Sequence, residues 1–405
     1  MVIVIMVLRD FSNKVQTNKI QTNKNSLYVH VPFCKSKCHY CNFNSYVGLE
    51  ELYSRYFKEL KKEIELYSET CRDRIIQTIY FGGGTPTCVD YFYIIDILQT
   101  IFRCYSIDRA AEISIESNPK TIKPDFKYLV RAGINRVSLG LQSSNNAELK
   151  LLGRNYSITD FEKSYDLLRN LNIININIDI IYGLPYQTLD SWCETIKFVI
   201  KMFPEHISMY SLSIEDNTKF ATLLKNNEIL PQDEELDRDM YHTAVNVLSN
   251  CNYKLYEISN MCRYKKSCLH NVLCWKYHEY IGFGAGAHSF FNKKRWCNFN
   301  SVERYINELS KIEKISHVTI NQEIEEFMFL GLRLAQGISV RKFQDKFNID
   351  IHDIYGNILK NYTYMKFIES YKDSSNRLFY KLTPHGIDVS NRILSDFLLE
   401  KNSAL

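Results

Sequence analysis

No apolar stretch in the chain is long enough to cross a bilayer, which takes about 20 residues as a helix. The opening MVIVIMVL is apolar for only eight residues. It has no basic residue ahead of it and no small-residue cleavage site behind it, which makes it a poor secretion signal. The expectation is a cytoplasmic protein. Strong charge is missing as well. A formal net charge of +4 over 405 residues is small, so composition points to no nucleic-acid partner. A second C-x2-C knuckle, a Walker sequence and a G-x-G-x-x-G are all absent. Paired-knuckle zinc modules and nucleotide-phosphate loops therefore find no support. No repeat of solenoid type is visible.

What is there suits one large globular domain and a smaller one, with 45% hydrophobic and 24% charged residues. In a large chain without a secretion signal, clustered cysteines more often bind metal than pair. Three of the twelve cysteines lie in YVHVPFCKSKCHYCNFNSY, residues 28–46, as Cys34, Cys38 and Cys41 in a C-x3-C-x2-C run. Two residues on, where a fourth would fall, stands Phe43. Spacing leaves two readings. An iron–sulfur cluster would keep one iron open. A zinc site would need His30 or His39 to complete a Cys3His set. The cluster is favoured because zinc usually shows paired knuckles. The other nine cysteines are mostly single and are expected to be small buried hydrophobes.

Residues 1–25 are expected to form a loose tail, since 9–25 are polar and lack periodicity. Beyond them, short β-rich runs at 26–31, 77–81, 111–116, 135–140, 176–183 and 206–212 alternate with helical spacing. One helical face carries Phe161, Tyr165, Leu168 and Leu171. Such alternation predicts parallel βαβ units, and six of them make an incomplete (βα)6 barrel spanning 26–255. The texture turns aromatic and glycine-rich over 256–314. Helices and then strands from 315 to 405 resemble a small winged-helix domain.

YFGGGTPT, residues 80–87, follows a predicted strand, and its glycines let backbone approach a ligand. A tight turn without a ligand explains that stretch alone equally well. Glu116, Gln142, Arg154 and Asp179 are placed at the carboxyl ends of predicted strands, where parallel-sheet enzymes keep their chemistry. Buried carboxylates there need a partner or a ligand.

Together these motifs resemble the radical S-adenosylmethionine (SAM) superfamily, whose C-x3-C-x2-C has an aromatic before its third cysteine, here Tyr40. YVHVPFC, GGGTPT, GINRVSLGLQS, LLGR, DIIYGLP, YEISN, GFGAGAHS and EEFMFLGLRL are similar to the branch containing oxygen-independent coproporphyrinogen III dehydrogenase. That enzyme carries a cysteine where Phe43 stands. The CNF form, with HNVLCW at 270–275, resembles the HemW-type haem chaperones of the same branch.

The resemblance implies a 4Fe–4S cluster on Cys34, Cys38 and Cys41, with its open iron chelated by the amino and carboxylate groups of SAM. Gly83, Gly84 and Thr85 would cradle the amino end. Tyr28, Tyr40, Glu116, Gln142, Arg154 and Asp179 match positions around the nucleoside. Arg154 suits the carboxylate and Asp179 the ribose hydroxyls. His270, Asn271 and Trp275 match the family haem motif, with His278, His288, Cys268 and Cys274 as other axial candidates. Cys274 replaces a family tyrosine, and Tyr156 stands where relatives usually carry histidine. The implied function is binding haem as cargo and delivering it to apo-cytochromes or other respiratory haem proteins. A flavodoxin or ferredoxin would serve as reductant. Peripheral membrane contact and a homodimer stay open. The alternative is radical oxidative decarboxylation of coproporphyrinogen III.

Overall fold

The computed structural model describes residues 24–399. Most of the expected tail, residues 1–23, lies outside them. Residues 24 and 25 do not belong to a tail, because the first strand already begins at Lys24 and Asn25 is buried.

Six strands form the parallel core: β1 (Lys24–Val31), β2 (Ile75–Gly83), β3 (Ser106–Ser117), β4 (Arg136–Gln142), β5 (Ile176–Tyr182) and β6 (His206–Ser211). They pair in chain order, each parallel to the next. Helices return the chain between them, including α1 (Tyr53–Ser68), α2 (Tyr91–Cys104), α3 (Ile158–Asn170) and α4 (Leu189–Met202). The sheet is open. Beyond β1 it continues through β7 (Tyr280–Phe283), parallel to β1, and antiparallel β8 (His288–Phe291) and β9 (Lys294–Asn298). This is the incomplete (βα)6 barrel that the alternation predicted, with no strand end moved by more than five residues.

Alternation along the strands is unusual for a parallel sheet. One face carries Leu27, Val29, Ile79, Phe81, Ile113, Ile115, Val137, Leu139, Ile178 and Ile207, all nearly inaccessible. The other face is polar and ranges from buried, as at Ser138, Asn177 and His206, to half-buried, as at Tyr28, Tyr80, Glu116 and Asp179. Register sets Tyr28 beside Tyr80, Ser114 and Arg136, and Glu116 beside Ser138, Asn177 and His206. Parallel strands covered on both sides are usually apolar on both, so this inner face is built for something other than packing.

Two compact units result. Among the described residues, one comprises 24–247 and 279–316, the other 248–278 and 317–399. Residues 256–314, grouped in sequence as one extension, therefore divide at Glu279. The second unit carries α5 (Leu269–Trp275) and a domain of α6 (Ile320–Arg333), β10 (Ile338–Ser339), α7 (Val340–Phe347), α8 (Ile351–Tyr364), β11 (Ile368–Lys372) and β12 (Leu378–Leu382). Its antiparallel order β10-β12-β11 with three helices is the winged-helix arrangement. Ile324, Met328, Phe343, Ile351, Tyr355 and Ile368 form its core.

One buried carboxylate ties β7 and β9 to α1. Glu63 accepts hydrogen bonds from Gly284 N (2.8 Å), Asn298 Nδ2 (2.7 Å) and Tyr305 Oη (2.6 Å). Burial pushes its carboxyl up to about 7. Glu63→Ala strands three buried donors, each costing about 1–3 kcal/mol. Chemical denaturation of this variant is expected to show a loss of several kcal/mol. A loss below 1 kcal/mol contradicts the assignment.

Candidate functional site

The three cysteines lie on the loop that leaves β1. Its start is pinned by paired backbone bonds, Cys34 N to Tyr46 O (2.9 Å) and Tyr46 N to Pro32 O (2.7 Å). Lys37 Nζ donates to Phe43 O (2.8 Å) and Ser45 Oγ (2.7 Å), and Asn44 Nδ2 donates to Ala285 O (3.0 Å). His39 N donates to Leu152 O (3.0 Å), so the loop's middle is held as well. Phe43 itself is 66% exposed.

Burial pushes the Cys34 and Cys38 thiols up, while the Thr85 and Ser45 hydroxyls pull Cys34 back. Metal loading must therefore displace protons. Neither histidine offered in sequence as a zinc ligand has a spare ring nitrogen. His30 Nε2 must donate to Asn44 O (2.8 Å), because a carbonyl only accepts, and Nδ1 pairs with Tyr28 Oη (3.0 Å). His39 Nδ1 donates to Leu151 O (2.8 Å), and Nε2 faces Lys219 Nζ (3.1 Å). Among the described residues no three His, Cys, Asp or Glu side chains converge as for a single ion. A polynuclear cluster spreads its thiolates over several metal ions and needs no such convergence.

The glycine turn lies directly beneath this loop. Thr85 N donates to Phe33 O (2.8 Å) and Gly84 N to Val31 O (2.9 Å). A Cβ on Gly84 would lie 2.5 Å from Phe33 O and 3.0 Å from the Cys34 sulfur. Gly83 adopts φ +115, where L side chains are strained, and a Cβ there would strike the His30 ring at 2.6 Å. Backbone thus sits where any side chain would block the approach.

Glu116 closes β3. Its carboxylate takes Tyr80 Oη (2.9 Å) and Gly83 N (3.1 Å), and burial pushes it up to about 7. Gln142 ends β4 at a register shift, with φ 70. Such a bulge re-aims a side chain.

Two expectations need correcting. Asp179 is not at a strand end but in the middle of β5, on the inner face. Its oxygens accept from Ser138 Oγ and Asn177 Nδ2, both at 2.8 Å, and burial pushes its pKa up. Arg154 closes no strand either; it stands in the loop between Asn146–Leu151 and α3. It still joins the cluster of residues, because Nη1 donates to Asn118 Oδ1 (3.0 Å) and Nη2 to Tyr40 Oη. Its guanidinium is 5.7 Å from the Tyr40 and Tyr156 ring centroids, and Nε is buried without a hydrogen bond. Tyr156 donates to Gly140 O (3.0 Å), so the departure from histidine keeps a packed anchor at the end of β4.

Asn118 escaped the sequence reading. It lies two residues past Glu116 in SIESNP, and it connects Arg154 to Thr85. Tyr80, Ser138 and Asn177 escaped too, though period-2 alternation places them on the same face as the residues that were found. Only Cys71, Cys262 and Cys268 among the nine remaining cysteines are fully buried; the other six are half-buried.

In the second unit, His270 is buried on α5, while Asn271, Cys274 and Trp275 are half-buried. The Arg333 guanidinium lies 4.5 Å over the Trp275 ring, and the indole Nε1 is buried without a hydrogen bond.

A carboxyl raised from 4.5 to about 7 stabilises the fold fully below pH 4.5, and that stability is lost as pH rises through about 7. Glu116→Gln is expected to remove about 3 kcal/mol of this pH-dependent loss. Glu63 titrates in the same window, so denaturation of the variant against pH should keep part of the slope. An unchanged profile contradicts the assignment.

Residues 28–199 match the model of the radical SAM superfamily, and residues 318–389 that of the HemN C-terminal domain. The chain is 30% identical over 379 residues to the heme chaperone HemW of Lactococcus lactis subsp. lactis, covering 93% of this chain and 98% of that protein. With HemW of Bacillus subtilis the identity is again 30%, over 381 residues, covering 93% and 99%. Among solved structures, coproporphyrinogen III oxidase (HemN) from Escherichia coli, a radical SAM enzyme, superposes with TM-score 0.80 over 94% of this chain and 91% of its own. At 20% identity that likeness is one of fold. With cysteine loop, glycine turn and barrel rim arranged as described, this chain belongs to the HemW heme-chaperone family of the radical SAM superfamily.

Proposed function

We propose that this chain binds haem and hands it to respiratory apoproteins, and that Cys34, Cys38 and Cys41 hold a 4Fe–4S cluster beside a SAM site. The donor set fits: three thiols on a loop fixed at both ends, a turn that admits only glycine, and an orphaned guanidinium nitrogen. Bound there, the cluster would supply an open iron for the amino and carboxylate groups of SAM. Gly83, Gly84 and Thr85 would receive the amino end, and a cation placed beside Glu116 would favour its ionised form, the proton leaving to solvent. Arg154 would meet the carboxylate, for which a guanidinium is a bidentate partner. Asp179 would accept from ribose hydroxyls, with Tyr28, Tyr40 and Gln142 around the nucleoside.

Haem is assigned to the motif His270, Asn271 and Trp275. A buried histidine can serve as an axial ligand, and His278, His288, Cys268 and Cys274 are the rivals. The proposed recipients are apo-cytochromes, with flavodoxin or ferredoxin as reductant. The site of action is the cytoplasm, with peripheral membrane contact or a homodimer as accessory features. Among the described residues no helix is long and apolar enough to cross a membrane.

The observation that carries this reading is Phe43, an exposed apolar side chain where the dehydrogenase has a thiol. Anaerobic reconstitution followed by haem titration tests it. Expected are about one haem per chain, a Soret band, cluster-dependent transfer to apo-cytochrome and no porphyrin product from coproporphyrinogen III with SAM. Formation of protoporphyrinogen without stable haem binding would make the dehydrogenase reading the right one. Cys38→Ala should abolish cluster assembly while leaving the secondary structure intact by circular dichroism. His270→Ala should weaken haem binding tenfold or more, and an unchanged affinity moves the ligand to one of the rivals.

A further inference from the structure

We propose that Thr85 donates a hydrogen bond to the Cys34 sulfur, that Arg154 and Asn118 fix its direction, and that it raises the reduction potential of the cluster. The inference rests on the reading that the three cysteines hold that cluster. It adds an electrostatic role that no part of that reading assigns to Thr85, and it brings in Asn118.

The direction follows from donor and acceptor counts. Arg154 Nη1 lies 3.0 Å from Asn118 Oδ1. A guanidinium has donors only, so the amide must turn its oxygen toward Arg154. Its nitrogen then faces Thr85 Oγ1, 2.8 Å away, and donates to it. A hydroxyl carries a single proton. With its oxygen already accepting from Asn118, the Thr85 proton goes to the neighbour on the other side, the Cys34 sulfur at 3.7 Å. Once metal is bound that sulfur is a thiolate and can only accept, which removes the remaining ambiguity of direction.

Asn118 is not free to turn away. Thr121 donates to Asn118 O through both its backbone N (2.9 Å) and its hydroxyl (2.7 Å), and Asn118 N donates back to Thr121 Oγ1 (3.2 Å). Thr85 is 4% exposed, so water does not compete for its proton. Ser45 also reaches Cys34, but its hydroxyl has a second acceptor in Phe43 O at 3.3 Å. The Thr85 hydroxyl has none among the described residues. Hydrogen bonds to cluster sulfurs favour the more negative, reduced state, and their donors are tuning groups of metal sites.

The test is a redox titration, followed by electron paramagnetic resonance, of anaerobically reconstituted wild type, Thr85→Val and Thr85→Ser, all without SAM. Valine keeps the shape and removes the hydroxyl; serine keeps the hydroxyl. The midpoint is expected to move negative in Thr85→Val and to stay at the wild-type value in Thr85→Ser. A wild-type midpoint in Thr85→Val overturns the inference, and so does a serine variant that shifts as far as valine. If Thr85→Val takes up no cluster, electron–nuclear double resonance of the reduced wild type in D2O decides. An exchangeable proton coupled to the cluster supports the bond, and its absence overturns it. Failure of the wild type to assemble any cluster is a different result, because it removes the underlying functional reading before a potential can be measured.

Discussion

Satisfying a polar interior is the constraint on which the rest of the first unit depends. The inner face of the parallel sheet carries Tyr28, His30, Tyr80, Glu116, Arg136, Ser138, Asn177, Asp179 and His206. Each buried polar group left without a partner costs about 1–3 kcal/mol. The strands meet that demand by pairing rows across the sheet, as with Ser138, Asn177 and Asp179. Side chains alternate with period two, so slipping any strand by one residue would turn its polar row toward the helices. Register is therefore fixed by polar satisfaction as firmly as by apolar packing, and the rim residues inherit that precision.

Positioning of the cysteine loop follows from the same economy of buried groups. Glu63, on α1, gathers the backbone of Gly284 with Asn298 and Tyr305. The adjoining Ala285 carbonyl accepts from Asn44, three residues past Cys41. At the other end, Tyr56 donates to His30 O, just before the loop begins. Helix α1 thus fixes both ends of the segment that carries the thiols. A site used for binding or chemistry needs such a supporting layer, since a loop alone leaves its ligands loose.

Fold does not choose between chaperone and enzyme. The E. coli enzyme HemN shares the architecture over nearly the whole chain at 20% identity, and one scaffold hosts several activities. What distinguishes the two readings lies in a few side chains, Phe43 and the HNVLCW segment foremost.

The sequence by itself determined six parallel βα units, the thiol triplet, the glycine turn and the winged-helix tail. These are local signals: period-two and helical spacing, cysteine spacing, and glycines that no other residue replaces. Glu116 and Gln142 were legible as strand-end residues for the same reason. Only tertiary structure decided that Asp179 lies inside the barrel, that Arg154 reaches the rim from a loop, and that both candidate histidines are already committed to carbonyls. Asn118 and Glu63 gave no sequence signal, because each acts through partners between 33 and 242 residues away. Hydrogen-bond direction is a property of three-dimensional neighbours, and no spacing along a chain encodes it.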